Sequence, residues 1–255
     1  MRKGEIPIGP ACLASSPVFV EMIGYAGFDY VMIDTEHASC CATGFELENM
    51  VRAAYVADIT PLVRVTVDDA AMIKKALNFG AHGIVVPHVK SKAQAEKISE
   101  AARFFPEGRR GIGIPCAAAR HGFWEWRDFW RESNRRTMVI PLIEDPEGIE
   151  NLEEILEVKG IDAIFFGPGD LSMQMGFEGN ISRPEVEAQL DKVLAICNRR
   201  NVPVMQLVWD IDSTKQAIKK GCKMISYSAD LVIFAQAYRT IIDTINRELR
   251  SVRPH

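Results

Sequence analysis

Met138-Val-Ile-Pro-Leu-Ile-Glu144 and Ala163-Ile-Phe-Phe-Gly-Pro-Gly-Asp170 are two short apolar runs, each closing on a carboxylate. Both are nearly all apolar and rich in β-branched and aromatic residues, the pattern of a strand buried on both faces of a parallel sheet. A helical pattern over 147–158 lies between them. Strand, crossover helix and parallel strand leave both strand ends on one edge of one sheet, because the connection is right-handed and neighbours stay side by side. Glu144 and Asp170 therefore converge at the carboxyl edge, where α/β folds bind ligands. Hard divalent cations such as Mg²⁺ accept a few protein carboxylates and keep positions for water and substrate.

Outward from this unit the same alternation repeats along the chain. Strands are predicted over 8–13, 30–34, 61–65, 83–86, 139–144, 163–167, 203–208 and 224–227. Helices are predicted over 17–24, 45–57, 69–79, 92–104, 147–158, 184–199, 212–219 and 229–249. Gly80 and Gly221 are stop signals and Pro184 is a start signal. Eight such units fit one (β/α)8 TIM barrel spanning 1–255. The alternative is a doubly wound open sheet, but no Gly-rich dinucleotide loop follows the first strand. Segment 105–137 breaks the rhythm with Gly108-Arg-Arg-Gly-Ile-Gly113 and the aromatic run Phe123-Trp-Glu-Trp-Arg-Asp-Phe-Trp130. Inserted before the fifth strand, it is expected on the catalytic face, covering the site or touching a neighbouring subunit. A plain connection explains its tryptophans as well. Its glycines lack the Lys-Ser/Thr ending of a phosphate loop.

With 47% hydrophobic and 25% charged residues over 255 positions, the chain has the makeup of a folded enzyme or binding protein with a large core. A net charge of −4 gives no reason to expect nucleic acid. No run approaches a membrane span and no secretory h-region opens the chain, so a cytoplasmic protein is expected. The cysteines at 12, 40, 41, 116, 197 and 222 have no zinc-type spacing and read as small hydrophobes. For the adjacent Cys40-Cys41 a redox or metal role stays open.

Other strand ends carry charge. The second runs into Asp34-Thr35-Glu36-His37, the third ends at Arg64 and the fourth at Pro87-His88. A guanidinium in the apolar run Leu62-Val-Arg-Val65 is costly unless it meets an anion. Either a substrate carboxylate or an internal pair with Asp34 or Glu36 answers that need. His37 is the candidate general base, oriented by the acids beside it. His88 and His121 read as structural.

These segments resemble the HpcH/HpaI aldolases, class II pyruvate aldolases of the 4-hydroxy-2-oxoheptanedioate aldolase type. The resemblance rests on Phe28-Asp-Tyr-Val-Met-Ile-Asp-Thr-Glu-His37, Pro61-Leu-Val-Arg64, Gly80-Ala-His-Gly-Ile-Val-Val-Pro87, Arg109-Arg-Gly-Ile-Gly113, Ile143-Glu144 and Gly160-Ile-Asp-Ala-Ile-Phe-Phe-Gly-Pro-Gly-Asp-Leu-Ser172, in the family's order. It implies a barrel of the phosphoenolpyruvate/pyruvate-domain type, with Glu144 and Asp170 binding Mg²⁺, Mn²⁺ or Co²⁺. It further implies that pyruvate or its enolate chelates that ion, that Arg64 contacts the keto acid, and that Gly169 and Asp170 amides, with Ser172 nearby, hold its carboxylate. His37, with Asp34 and Glu36, would move the proton. The implied reaction is reversible cleavage of a 4-hydroxy-2-oxo acid to pyruvate and an aldehyde. The alternative is a citrate synthase-like or citryl-thioester lyase-like reaction using oxaloacetate and an acyl-CoA. No lysine stands at a comparable strand end, which argues against a Schiff base.

The chain departs from the family's pattern at Leu142, where a glutamine is usual, and at Asn78, where an acid from a neighbouring subunit pairs with the histidine. It departs again at Ala117-Ala-Ala-Arg120, where the family has an arginine-rich run. These changes bear on the acceptor aldehyde and the proton path. The chain begins at its first strand, so a leading helix common in the family is expected to be shortened or absent. The resemblance also implies a homo-oligomer, a hexamer, with the apolar C-terminal helix 229–249 at a subunit interface.

Overall fold

The computed structural model describes residues 5–38, 44–66 and 68–252. The strands are β1 (Ile8–Cys12), β2 (Tyr30–Asp34), β3 (Thr60–Arg64), β4 (Gly83–Val86), β5 (Met138–Ile143), β6 (Ile164–Phe166), β7 (Val204–Val208) and β8 (Met224–Ala229). Each pairs in parallel with the next, and β1 pairs with β8 to close the barrel. The helices are α1 (Pro17–Tyr25), α2 (Phe45–Val56), α3 (Ala70–Phe79), α4 (Lys92–Ala102), α5 (Trp126–Arg136), α6 (Pro146–Glu150), α7 (Leu152–Ile155), α8 (Pro168–Gln174), α9 (Pro184–Arg199), α10 (Ile211–Lys220) and α11 (Asp230–Val252). The fold is a (β/α)8 barrel, as the alternation predicts.

Two apolar layers hold it together, because side chains along each strand alternate between the barrel axis and the helices. Inside, Tyr30, Met32, Leu62, Val85, Ile140, Leu142, Phe165 and Met205 fill the barrel. Outside, Ile33, Val63, Ile84, Ile143 and Phe166 pack against helix residues such as Leu47, Met50, Ile73 and Ile98. Helix ends follow local chemistry. Gly80 and Gly221 take left-handed φ of 108° and 114° at the ends of α3 and α10. Asp69 and Ser91 accept backbone N–H bonds at the starts of α3 and α4.

Three expectations change. The helix predicted over 147–158 is two short pieces meeting at Asn151, whose side-chain amide donates to Lys90 O at 2.8 Å. The segment after β6 is a helix, α8, because Pro168 at its first turn is preset for helical φ. The insertion lies on the opposite face from the one expected. Parallel strands all begin at one edge, so a chain passing from α4 to the start of β5 crosses the amino-terminal edge. Arg103 there donates to Asp162 at 2.8 Å and to Thr137 O at 3.2 Å, beside the starts of β5 and β6. The amide of Met138 donates to His82 O at 2.9 Å, just before β4.

Candidate active site

At the carboxyl edge, register brings charges together. Asp34 and Arg64 are direct partners at the ends of β2 and β3, so their side chains leave the sheet on one face. Asp34 is fully buried and receives Arg64 Nε at 3.0 Å together with Arg64 Nη2. The backbone amides of Glu36 and His37 donate to the same carboxylate at 2.9 and 3.3 Å. Burial opposes ionisation of Asp34, but Arg64 and the two amides outweigh it and hold the carboxyl below its ordinary value. Glu36 lies 3.4 Å from Arg64 Nε, and burial raises its pKa against the pull of Arg64 and His37. For Arg64, desolvation is outweighed by Asp34, Glu36 and Glu144, so its pKa rises. His37 is 57% exposed at its side chain, with Nε2 3.7 Å from Glu36. The internal pair anticipated for Arg64 is therefore present, and it uses one edge of the guanidinium.

Across the barrel mouth, Glu144 follows β5 and is buried. Burial pushes its carboxyl up to about 7, opposed by the His88 ring and amide and reinforced by the charges of Asp170 and Glu36. The amide of His88 donates to Glu144 Oε1 at 3.1 Å. Gly167, next to Glu144 at the end of β6, has no side chain for a steric reason. A Cβ there would stand 2.9 Å from Glu144 Oε2 and 2.8 Å from its Cβ. Asp170 lies exposed in the first turn of α8, and the space before Gly169 is open. Ser172 is fully buried with its hydroxyl donating to Gly169 O at 2.8 Å, which braces that turn. Leu142 lies in the barrel interior below this pair, where a side chain on Gly167 would also meet it.

Asp145 is a residue the sequence reading missed. Buried beside Glu144, it holds His88 Nδ1 at 3.0 Å and Lys90 Nζ at 3.0 Å, and it receives Gln174 Nε2. Burial works against its ionisation, but Gln174, Lys90 and His88 keep its carboxyl low. His88, read as structural from sequence, stands within 3.4 Å of Glu144 and takes φ of 53°, uncommon for a residue with a side chain. Lys90 also reaches this edge, although the sequence pointed to no such lysine. The signal was the doubled acid Glu144-Asp145 where β5 ends, since past the strand both side chains can turn into the mouth. His121 lies in the turn Ala117–Gly122, far from this edge.

Among the described residues no three His, Cys, Asp or Glu side chains form a closed cage for a metal. The donor set is instead two hard carboxylates, buried Glu144 and exposed Asp170, close enough that the charge of Asp170 raises the pKa of Glu144, and Gly167 leaves no side chain to crowd Oε2. That set fits a divalent cation that keeps open positions. Cys12 is buried with its thiol donating to Ala14 O at 3.5 Å, and burial pushes the Cys197 thiol up to about 12 and that of Cys222 up to about 11, so these two stay protonated. Cys40 and Cys41 lie outside the described residues.

The family described as HpcH/HpaI aldolase/citrate lyase matches residues 12–237. A 2-dehydro-3,6-dideoxy-6-sulfogluconate aldolase of Pseudomonas putida is 32% identical over 204 residues, 80% of this chain and 78% of that protein. The crystal structure of an HpcH/HpaI aldolase/citrate lyase family protein of Burkholderia cenocepacia J2315 superposes with a TM-score of 0.89 at 29% identity, covering 95% of each chain. A citrate synthase structure superposes with a TM-score of 0.87 at 28% identity, covering 96% of this chain and 95% of the other.

Proposed function

The chain belongs to the HpcH/HpaI aldolase/citrate lyase family, as a carbon–carbon lyase, and on that premise we propose that it cleaves a 4-hydroxy-2-oxo acid reversibly to pyruvate and an aldehyde. The observation that carries this reading is the pairing of Glu144 and Asp170 on adjacent strand ends, opposite the Arg64, Asp34 and Glu36 cluster.

Glu144 and Asp170 would hold Mg²⁺, Mn²⁺ or Co²⁺. Bound there, the cation would supply a Lewis acid for the negative charge that develops on the 2-oxo group when the carbon–carbon bond breaks. The chain's own groups do the rest. The amides of Gly169 and Asp170, in the first turn of α8 where backbone N–H groups have no intrahelical partner, would take the substrate carboxylate. Arg64, fixed along one edge by Asp34, would turn its remaining N–H groups to the 2-oxo oxygen and add fixed positive charge. His37, exposed beside Glu36, would accept the 4-hydroxyl proton. The C3–C4 electron pair then passes to the keto acid as its enolate, the aldehyde departs, and a proton returned to C3 gives pyruvate. Asp145 would steady His88 and Lys90 at the rim, and the ion pair it makes with Lys90 leaves that amine engaged rather than free for a Schiff base.

The second reading is condensation or cleavage involving oxaloacetate and an acyl-CoA, favoured by the likeness to a citrate synthase. We read the working unit as a homo-oligomer, with α11 at an interface, since Leu231, Phe234, Tyr238, Ile241 and Ile245 along it are exposed. No helix among the described residues is long and apolar enough to cross a membrane. Pyruvate release from a panel of 4-hydroxy-2-oxo acids, set beside thioester formation from oxaloacetate and acetyl-CoA, separates the two readings. Turnover of the thioester pair alone would overturn the aldolase assignment.

A further inference from the structure

The amino-terminal edge of the barrel, opposite the lyase site, holds a cavity of about 300 Å³ between the ends of α2 and α3, the turn Ala117–Gly122 and α5. We propose that this cavity is a second binding site for a small organic acid, whose carboxylate meets Arg136 and Arg120 and whose apolar body rests on Trp124 and Phe129. The inference does not rest on the reaction assigned to the other face.

Charge balance carries it. Glu132 is the carboxylate of the cavity wall, and it is held at two points by Arg135, at 2.8 and 2.6 Å. Arg136 Nε stands 3.8 Å from it, a longer contact than either that Arg135 makes. The other contact of Arg136 is His82 Nε2, which also lies 2.9 Å from the Tyr55 hydroxyl. Burial and the charge of Arg136 push His82 down to about 4, so near neutral pH the ring accepts without adding or cancelling charge. Among the described residues Arg120 has no carboxylate partner, and its guanidinium lies over the Trp124 ring at 5.1 Å. Behind Ser133 a third guanidinium, Arg110, is 5% exposed and bonds only to neutral oxygens, Ser133 Oγ at 3.1 Å and Asn78 Oδ1 at 2.8 Å. Its Nε is buried with no hydrogen-bond partner, a costly arrangement for an uncompensated cation. Two guanidinium groups, Arg120 and Arg136, thus line a cavity whose acid is already engaged by Arg135, and a third stands behind its wall.

The backbone supports the same assignment. Arg120 and His121 take successive left-handed φ of 51° and 55°, a conformation that residues with side chains rarely adopt. The turn they make holds Arg120 on the cavity wall. An organic anion fits better than an inorganic one because Leu77, Ala118, Trp124 and Phe129 give the cavity an apolar side.

Calorimetry and saturation-transfer NMR on the full chain, with benzoate as probe, test the proposal. We expect saturable benzoate binding, tighter than that of inorganic phosphate, weakened about tenfold or more by Arg136→Gln and by Arg120→Gln. Arg120 sits on an exposed turn, so its variant reports even if Arg136→Gln does not fold. Asp170→Asn, in the lyase site, should leave benzoate affinity unchanged. Absence of saturable binding, affinity that follows Asp170→Asn, affinity indifferent to both arginine variants, or phosphate binding as tight as benzoate would each overturn it.

Discussion

Arg64 commits one edge of its guanidinium to an internal acid and leaves the other for the keto acid proposed to bind there. Its Nε and Nη2 are committed to Asp34, and Glu36 stands 3.4 Å from the same Nε. The sequence left open whether Arg64 meets a substrate anion or an internal acid, because a strand-end arginine satisfies either. The structure supplies the internal acid, which makes stability and catalysis interdependent here. Arg64→Lys keeps the charge but loses the planar fork, so it should lower kcat/KM for pyruvate release by about 10²-fold and Tm by a few degrees together. An unchanged Tm, read by differential scanning fluorimetry, would show that Asp34 does not depend on the fork. Glu144 gives the second prediction at this scale. Its folded pKa of about 7 lies above the ordinary value of 4.5, so the metal-free folded state binds the extra proton and stability falls as pH rises from 4.5 through about 7. The loss should reach at most about 3 kcal/mol, vanish in Glu144→Gln, and be offset by saturating Mg²⁺. Melting curves at pH 5 and pH 8, with and without the cation, check each part.

At the scale of elements, most of the barrel was legible and the reasons for the exceptions are local. The runs ending at Asp34, Arg64 and Ile143 could be read because a strand buried on both faces has to be apolar throughout, and a charge at its end stands out. The glycine and proline signals at Gly80, Pro184 and Gly221 were equally plain. What escaped were features set by tertiary contacts: the break at Asn151, made by its bond to Lys90, and the cluster around Asp145, whose partners come from the loop after β4 and from α8. Segment 105–137 was placed on the wrong face because an αβ connection was treated as a βα one. Gly167 ties the end of β6 to the position of Glu144, and that tie is testable. Gly167→Ala puts a Cβ 2.8 Å from Glu144 Cβ and 2.9 Å from its Oε2, too close for either to stay, so Glu144 must shift. We expect divalent cation affinity to fall by about tenfold or more while stability changes by about 1–3 kcal/mol, the usual cost of one extra methyl in a packed site. Calorimetric titration with Mn²⁺ reads the first, and thermal melting the second.

Over the whole molecule, the proposed chemistry and the proposed assembly occupy different parts of the barrel. The carboxyl edge carries the acids, the amino edge carries the arginine-lined cavity, and α11 leaves an apolar face uncovered on the chain by itself. If that face is a subunit interface, Phe234→Glu combined with Ile241→Glu should shift the sedimentation coefficient to that of a monomer without unfolding the barrel. A wild-type chain that already sediments as a monomer would contradict the assignment. The central claim is that Glu144 and Asp170 exist to hold a divalent cation for carbon–carbon bond cleavage, and it is tested most directly by metal removal. Protein dialysed against chelator should release pyruvate from its 4-hydroxy-2-oxo acid substrate at no more than about a hundredth of the original rate, with activity restored by Mg²⁺, Mn²⁺ or Co²⁺. Full activity in protein shown by elemental analysis to be free of metal would contradict it.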